Sequence, residues 1–301
     1  MNLEPIVLFV TAAGVFGLLF GSFLNVCIYR MPRGLSVVAP RSACPNCKKP
    51  IAPYDNVPVL SWVVLGGKCR HCKTPITPRY AAVELLTGIM FAVCAWYFPS
   101  PIEAVKYMTF SFLLLGLIFT DCENRILPDQ LTISGFVLGL AFSLLIPANG
   151  ILENLFYGRI DWRLLSLGNA LLGAVIGGGF IWGVGELYFR LRGIEGMGFG
   201  DVKLLLMIGA FVGPQLTVFT IGLSTLCAAV IGLAMFPPIL RKRRNATSLK
   251  RRIPDEKERR QEAYESAMRC MRLPFGSFLG AGALCAAFFG ESILRWYFGL
   301  F

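Results

Sequence analysis

Of the 301 residues, 55% are hydrophobic and only 16% are charged, with a formal net charge of +11, a balance that excludes a soluble globule of this length. The apolar residues gather in uninterrupted runs close to the roughly 17 to 25 residues a helix needs to cross a hydrocarbon core, and the strict alternation of a membrane β-barrel is absent. The positive charge is concentrated in two blocks, Arg30 to Arg79 and Arg241 to Arg272, as in loops retained on the cytoplasmic side of a membrane, which argues against nucleic acid as the partner.

In chain order, the opening stretch up to Arg30 has no basic leader region and no small-residue cleavage site, so it is expected to be a first spanning helix and not a signal peptide. Apolar runs lie at 5–28, 82–98, 104–120, 131–147, 168–189, 202–213, 215–238 and 275–298. They predict an all-α polytopic membrane protein of about eight transmembrane helices with a small cytoplasmic zinc-knuckle loop domain. The expected divisions are a first transmembrane helix (1–29), a cytoplasmic four-cysteine loop domain (30–80), a transmembrane core (81–240), a basic cytoplasmic insertion (241–274) and a last transmembrane helix (275–301). If the first helix runs outside to inside, every strongly basic loop falls in the cytoplasm, together with the stretches 121–129 and 190–200. The sixth run is short for a full span and ends at the Gly213-Pro214 turn, which suggests a half-length element covered by protein or lining a cavity. Glycines 168, 173, 177, 178, 179, 183 and 185 mark the fifth helix as closely packed scaffold. The charged second half of the 241–272 block reads as solvated linker.

Between the first two helices stand CPNC and CRHC, separated by 21 residues: Cys44, Cys47, Cys69 and Cys72. Two CxxC pairs in a short hydrophilic loop supply four thiolates for a tetrahedral zinc site. CPNCKKPI and CRHCKTPI look like one knuckle repeated, and a cytoplasmic location disfavours the rival disulfides. The loop holds too little apolar material to fold without a staple, so the zinc is expected to be structural. His71, inside the second knuckle, is expected beside the metal shell and not in it, while Cys27, Cys94, Cys122, Cys227, Cys270 and Cys285 are isolated and read as small apolar packers.

Acids are rare beside the apolar runs, so each is informative. Asp121 follows the third run and Asp201 opens the sixth, both at the expected cytoplasmic edge. Two facing carboxylates can share a proton, one activating water while the other polarises a carbonyl and later protonates the leaving nitrogen, with no metal required. Gly196, Gly198 and Gly200 would let a backbone or a substrate approach Asp201 closely. The plainer alternative makes Asp201 a helix-start charge favoured by the dipole and paired with Lys203. Asp129 reads as a helix-start residue, and Glu84 is expected to pair with a basic loop residue.

With these residues in view, the chain resembles the bacterial type IV prepilin peptidases, membrane aspartyl proteases of the GxGD type that also methylate the new N-terminus. The resemblance rests on GSFLNVCIYRMP at 21–32, the paired CxxC loop with DNVPVLSW between the knuckles, RYAAVELLTG at 79–88, TDCENRILPDQLT at 120–132, Gly198-Phe199-Gly200-Asp201-Val202-Lys203, and PFGSFLGAGAL at 274–284. It implies proteolysis by Asp121 and Asp201 in the plasma membrane (the bacterial inner membrane), without a catalytic metal. The implied substrates are prepilin and pseudopilin precursors cut after a glycine at the cytoplasmic face, with S-adenosylmethionine as methyl donor. Membrane lipids and the assembly proteins of pili or type II secretion are the other implied partners. Two features depart from the family pattern. Asp121-Cys122-Glu123 stands where many members carry Asp-x-Asp, leaving Glu123 as an auxiliary acid, and the insertion at 241–272 is long, suited to docking on anionic lipid or a secretion partner. No GxGxxG follows a strand, so the methyl donor is not assigned to residues. The rival classes are a zinc-bearing scaffold, which needs neither aspartate, and an ion-coupled transporter, whose acids belong nearer the bilayer centre.

Overall fold

A computed structural model describes residues 3–147, 151–156, 158–193, 198–249 and 274–299. The protein is an all-α membrane protein. Helix α1 (Leu3–Arg30) is followed by the cysteine loop, which carries the short α2 (Leu60–Val64). Then come α3 (Arg79–Tyr97), α4 (Pro101–Asn124), α5 (Asp129–Leu145), the short α6 (Ile151–Phe156) and α7 (Trp162–Arg192). A long α8 (Phe199–Leu249) precedes α9 (Phe275–Cys285), which passes through a π turn at Ala286–Gly290 into α10 (Glu291–Phe298). Among the described residues, six stretches are long and apolar enough to cross a membrane: Glu4–Arg33, Arg79–Tyr97, Pro101–Asn124, Trp162–Arg192, Phe199–Ala234 and Phe275–Tyr297, with Asp129–Leu145 a shorter apolar helix. Among the described residues the only β pairing is two isolated bridges in the cysteine loop. Of the basic insertion at 241–274, the segment 250–273 lies outside the described residues, as does Gly196.

The helix ends follow local chemistry. Pro101 opens α4, where its missing N–H is not needed. The Asp161 carboxylate accepts from the Arg163 N–H to cap α7, and Gly193 ends that helix in the left-handed region at φ 67°. The helices begin a few residues earlier than the apolar runs because polar residues at their ends continue the hydrogen-bonded ladder without belonging to the apolar stretch.

Small residues decide how the helices meet. Along α1 and α3, a side chain at Gly17 would lie 2.8 Å from Gly88 Cα, and one at Gly21 would lie 2.6 Å from Glu84 Cα. The α8 helix does not run straight. Gly213 has φ 78° and ψ 178°, outside any helix, and Leu205 and Thr217 flank the break. Those two residues would be ~18 Å apart in a continuous helix. Both nevertheless touch one point on α7, since a side chain at Gly177 would meet the Leu205 carbonyl at 3.0 Å and Thr217 Cγ2 at 2.8 Å. The chain therefore reverses at Gly213, and the two arms of α8 pack together on the glycine-lined face of α7. Phe110, Leu114 and Leu117 of α4 meet Leu204, Met207, Ile208 and Phe211 of α8 and Leu279 of α9 in the central core.

Glu84 binds a different partner from the basic residue its sequence context suggests. Its Oε2 accepts the backbone N–H of Val59 at 2.8 Å, and Val59 sits at φ 61°, a conformation β-branched residues rarely adopt and one that the surrounding structure has to hold. The cysteine loop is thereby pinned to α3.

The glycine packing predicts a contrast. A methyl at Gly209 would strike the Gly173 backbone, whereas one at Gly179 meets nothing within 4 Å. Gly209→Ala is expected to destabilise the folded protein by about 1–3 kcal/mol, read as a lowered melting temperature in detergent, while Gly179→Ala leaves it unchanged. Equal melting of both variants would contradict this packing.

Candidate functional site

The two cysteine knuckles are built alike. The Cys44 N–H donates to the Lys49 carbonyl (3.0 Å) and the Lys48 N–H to the Cys44 carbonyl (2.9 Å). Twenty-five residues on, the Cys69 N–H donates to Thr74 (2.9 Å) and the Lys73 N–H to Cys69 (3.0 Å). Lys48 and Lys73 both take the left-handed conformation, at φ 58° and 57°, and bridges Ala43–Pro50 and Lys68–Pro75 close the two turns. Asn46 Nδ2 donates to Thr74 Oγ1 across the knuckles at 2.8 Å. Arg70 grips Asp55 with Nη2 to Oδ1 at 2.6 Å, and that guanidinium holds the Asp55 carboxyl below the usual carboxylate range.

The sulfurs of Cys44, Cys47, Cys69 and Cys72 all lie within 4.8 Å of one another. A tetrahedral zinc thiolate with Zn–S near 2.3 Å requires sulfurs roughly 3.8 Å apart, and Cys44 and Cys72 are separated by 3.7 Å. The Thr74 hydroxyl and amide hold the Cys72 thiol down, while desolvation and the crowding of sulfurs push Cys47 up, so the four thiols titrate as a group and a cation among them would be needed to hold all four as thiolates. The donor set fits a structural zinc ion, and His71 is exposed and outside the cluster.

The second constellation forms where three helix ends converge. Asp121 lies in the last turn of α4, buried to 7% exposure, and Arg125 ends that helix in the left-handed conformation by donating its N–H to the Asp121 carbonyl. Asp201 lies half-buried in the first turn of α8, within electrostatic range of Asp121. The N-terminus of α9 supplies the third side, with the Ser277 N–H donating to Asp121 Oδ2 at 2.7 Å and Ser277 Oγ 3.0 Å from the same oxygen. Leu127, in the turn after α4, fills the space between. A side chain at Gly200 would lie 3.3 Å from Leu127 Cβ, and one at Gly276 would lie 3.0 Å from Asp121 Oδ2 and 3.1 Å from Leu127 Cδ1. A side chain at the second glycine of Gly198-Phe199-Gly200-Asp201 would thus have to push Leu127 back by a few tenths of an ångström. Two carboxylates in such a setting can divide one proton between them and act as acid and base.

The remaining acids have partners of their own. Lys203, a partner for Asp201 on the plainer reading, instead donates to both oxygens of Asp129 at 2.7 Å. Asp201 is left without a hydrogen bond to its carboxylate among the described residues. Asp129 opens α5 as expected. Glu123, expected from the sequence as an auxiliary acid, is bound by Arg79 Nη1 at 2.5 Å, and Arg79 Nη2 reaches Asn25 Oδ1 at 3.4 Å. Asn25 in turn donates to the Tyr80 carbonyl at 2.9 Å, which ties α1, α3 and α4 together. Sequence reasoning did not find Ser277 or the Arg79–Glu123 pair. Both residues stand inside the motifs PFGSFLGAGAL and RYAAVELLTG, but their partners are distant in the chain.

Residues 15–98 match the family described as "Bacterial Peptidase A24 N-terminal domain", and residues 108–233 match the "Type IV leader peptidase family". Cys44, Cys47, Cys69 and Cys72 fall in the first match and both aspartates in the second. The chain is 34% identical to the prepilin leader peptidase/N-methyltransferase of Pseudomonas aeruginosa, over 96% of this chain and 93% of that protein. It is 31% identical to the protein of the same name from Aeromonas hydrophila, over 94% and 91%, and 35% identical to that from Neisseria gonorrhoeae, over 75% and 82%. No solved structure matches.

Elemental analysis of freshly purified protein is expected to find one zinc per chain. Cys44→Ala or Cys69→Ala should lose the metal and render 31–78 sensitive to protease. Full zinc content in either variant would rule out the four-sulfur site.

Proposed function

The chain belongs to the type IV leader peptidase family, and from that premise we propose that it cuts the leader from prepilins and pseudopilins at the cytoplasmic face of the bacterial inner membrane, using Asp121 and Asp201, and then methylates the new N-terminus. The observation that carries the proteolytic half is the convergence of these two carboxylates at the ends of α4 and α8, with neither neutralised by a lysine or arginine hydrogen bond among the described residues.

In the chemical step, the ionised carboxylate takes a proton from water as the oxygen attacks the scissile carbonyl, while the protonated carboxyl gives its proton to the carbonyl oxygen. The resulting gem-diol collapses when one hydroxyl proton returns to the second carboxylate and the first carboxyl, rather than the carbonyl-polarising partner to which the sequence reading gives this role, protonates the leaving amine. Water is consumed and both groups recover their starting states. S-adenosylmethionine supplies the methyl group for the second activity.

The membrane reading has α1 running outside to inside. The cysteine loop, the α4–α5 turn, the start of α8 and the basic insertion at 241–274 then all face the cytoplasm. Reversal at Gly213 supports counting the two arms of α8 as separate segments, giving about eight. A precursor whose basic leader stays in the cytoplasm while its apolar helix stays in the bilayer would present its junction at this level, and the basic insertion suits contact with anionic lipid or a secretion partner.

The test is cleavage of a precursor pilin by purified protein in detergent. Asp121→Asn and Asp201→Asn keep the side-chain size but cannot exchange a proton, so each is expected to slow cutting by roughly 10²- to 10⁴-fold. Asp129→Asn, which breaks only a partly exposed ion pair, should retain most activity. With precut pilin supplied, both inactive variants should still transfer methyl groups. Near-normal cutting by either Asp121→Asn or Asp201→Asn would remove that residue from the mechanism.

A further inference from the structure

The two aspartates are held differently. Asp121 Oδ2 is engaged twice by Ser277, through the backbone N–H at 2.7 Å and through Oγ at 3.0 Å, and among the described residues no hydrogen bond reaches Asp121 Oδ1. Ser277 is the third residue of α9; its N–H is shared between the Pro274 carbonyl at 3.1 Å and the closer Asp121 Oδ2, and Pro274 offers no side-chain cap. The carboxylate of another helix therefore caps α9 and meets the positive end of its dipole. Gly276 makes this approach possible, because a side chain there would lie 3.0 Å from the same Oδ2.

The hydroxyl has one proton and more than one acceptor in reach. Besides Asp121 Oδ2, the Ile118 carbonyl lies 3.1 Å from Ser277 Oγ, and Cys122 Sγ lies 3.2 Å away. With Asp121 ionised, the hydroxyl can donate to Oδ2. With a proton on Oδ1, it can turn to Ile118 while the amide stays on Oδ2.

We propose that Ser277 is a positioning residue for cleavage: it commits Asp121 Oδ2 as a permanent acceptor, leaves Oδ1 as the oxygen that exchanges the proton, and favours Asp121 as the ionised base with Asp201 as the acid. The proposal rests on the reading of Asp121 and Asp201 as the catalytic pair. Among the described residues, the charged groups that bear on Asp121 are Asp201 from α8 and Arg125 after α4, and Cys122 of α4 touches the Ser277 hydroxyl. Glu123 is bound to Arg79 and Asp129 to Lys203. Residues Pro274 to Ser277 of α9 bring no ionisable side chain.

The experiment measures kcat, KM and the pH profile of precursor cleavage for Ser277→Ala, Ser277→Thr and Ser277→Cys beside Asp121→Asn. Ser277→Ala keeps the amide and loses the hydroxyl, so kcat should fall about 10-fold with KM unchanged. The acidic limb of the profile should move to higher pH, because a donor to the ionised form has been removed. Ser277→Thr should restore both quantities. Ser277→Cys, a weak donor of similar size, should move both in the same direction by less, and it serves if the alanine variant is unstable. A wild-type kcat and limb in Ser277→Ala, or a lowered kcat with an unmoved limb, would overturn the assignment while an inactive Asp121→Asn left the catalytic pair standing. Normal cutting by Asp121→Asn would bring down the pair and this inference together.

Discussion

The hydrogen bond from the Ser277 amide to Asp121 Oδ2 joins residues 156 positions apart, and it answers the hardest demand this chain places on its fold. A carboxylate buried among apolar helices is costly unless donors are brought to it. Here the donors are an N–H in the first turn of α9, shared with the Pro274 carbonyl, and the hydroxyl beside it, so a buried acid is satisfied by a helix start. To make it, the last turn of α4 and the first turn of α9 have to meet, and the glycine at 276 and the packing of Leu127 follow from that requirement. The first turn of α8 is drawn into the same junction through Gly200 and Leu127.

Two further ties hold this junction to the rest of the molecule. Arg79, the first residue of α3, binds Glu123 two residues beyond Asp121. Farther along α3, Glu84 holds the Val59 amide of the cysteine loop. The loop that gathers four thiols and the helix that carries Asp121 are thus both fastened to α3. Behind them, the glycine face of α7 receives both arms of α8, and the reversal at Gly213 brings Leu205 and Thr217 to one glycine. Small residues act here as they do in membrane helices generally, by letting backbones approach where there is little hydrophobic difference between protein and lipid to drive association.

Much of this was legible in the sequence because it was written locally. Apolar runs marked the helices, the repeated CxxC turns marked the knuckles, and a short run ending in Gly213-Pro214 marked the break in α8. The glycines before Asp201 suggested a backbone or a substrate approaching its carboxylate, whereas the structure sets Gly200 against the side chain of Leu127. What stayed hidden were partner choices between segments far apart in the chain. Glu84 was expected to find a basic residue and instead took a backbone amide, since a strained backbone at Val59 presents its N–H to α3. Lys203 stands two residues from Asp201, yet residues two apart on a helix do not face each other, and it reaches Asp129 on α5 instead. Ser277 looked like an ordinary polar residue near a helix start, because nothing local reveals that a carboxylate from α4 arrives there.

The central claim is that Asp121 and Asp201 work as one proton-sharing unit and not as two separate aids to cleavage. Groups that act as a unit give strongly non-additive losses when removed. The most direct measurement is the precursor cleavage rate of the double variant Asp121→Asn/Asp201→Asn, set against each single variant at equal folded protein. A double variant that cuts no more slowly than the worse single variant is the predicted result, and losses that multiply would contradict it.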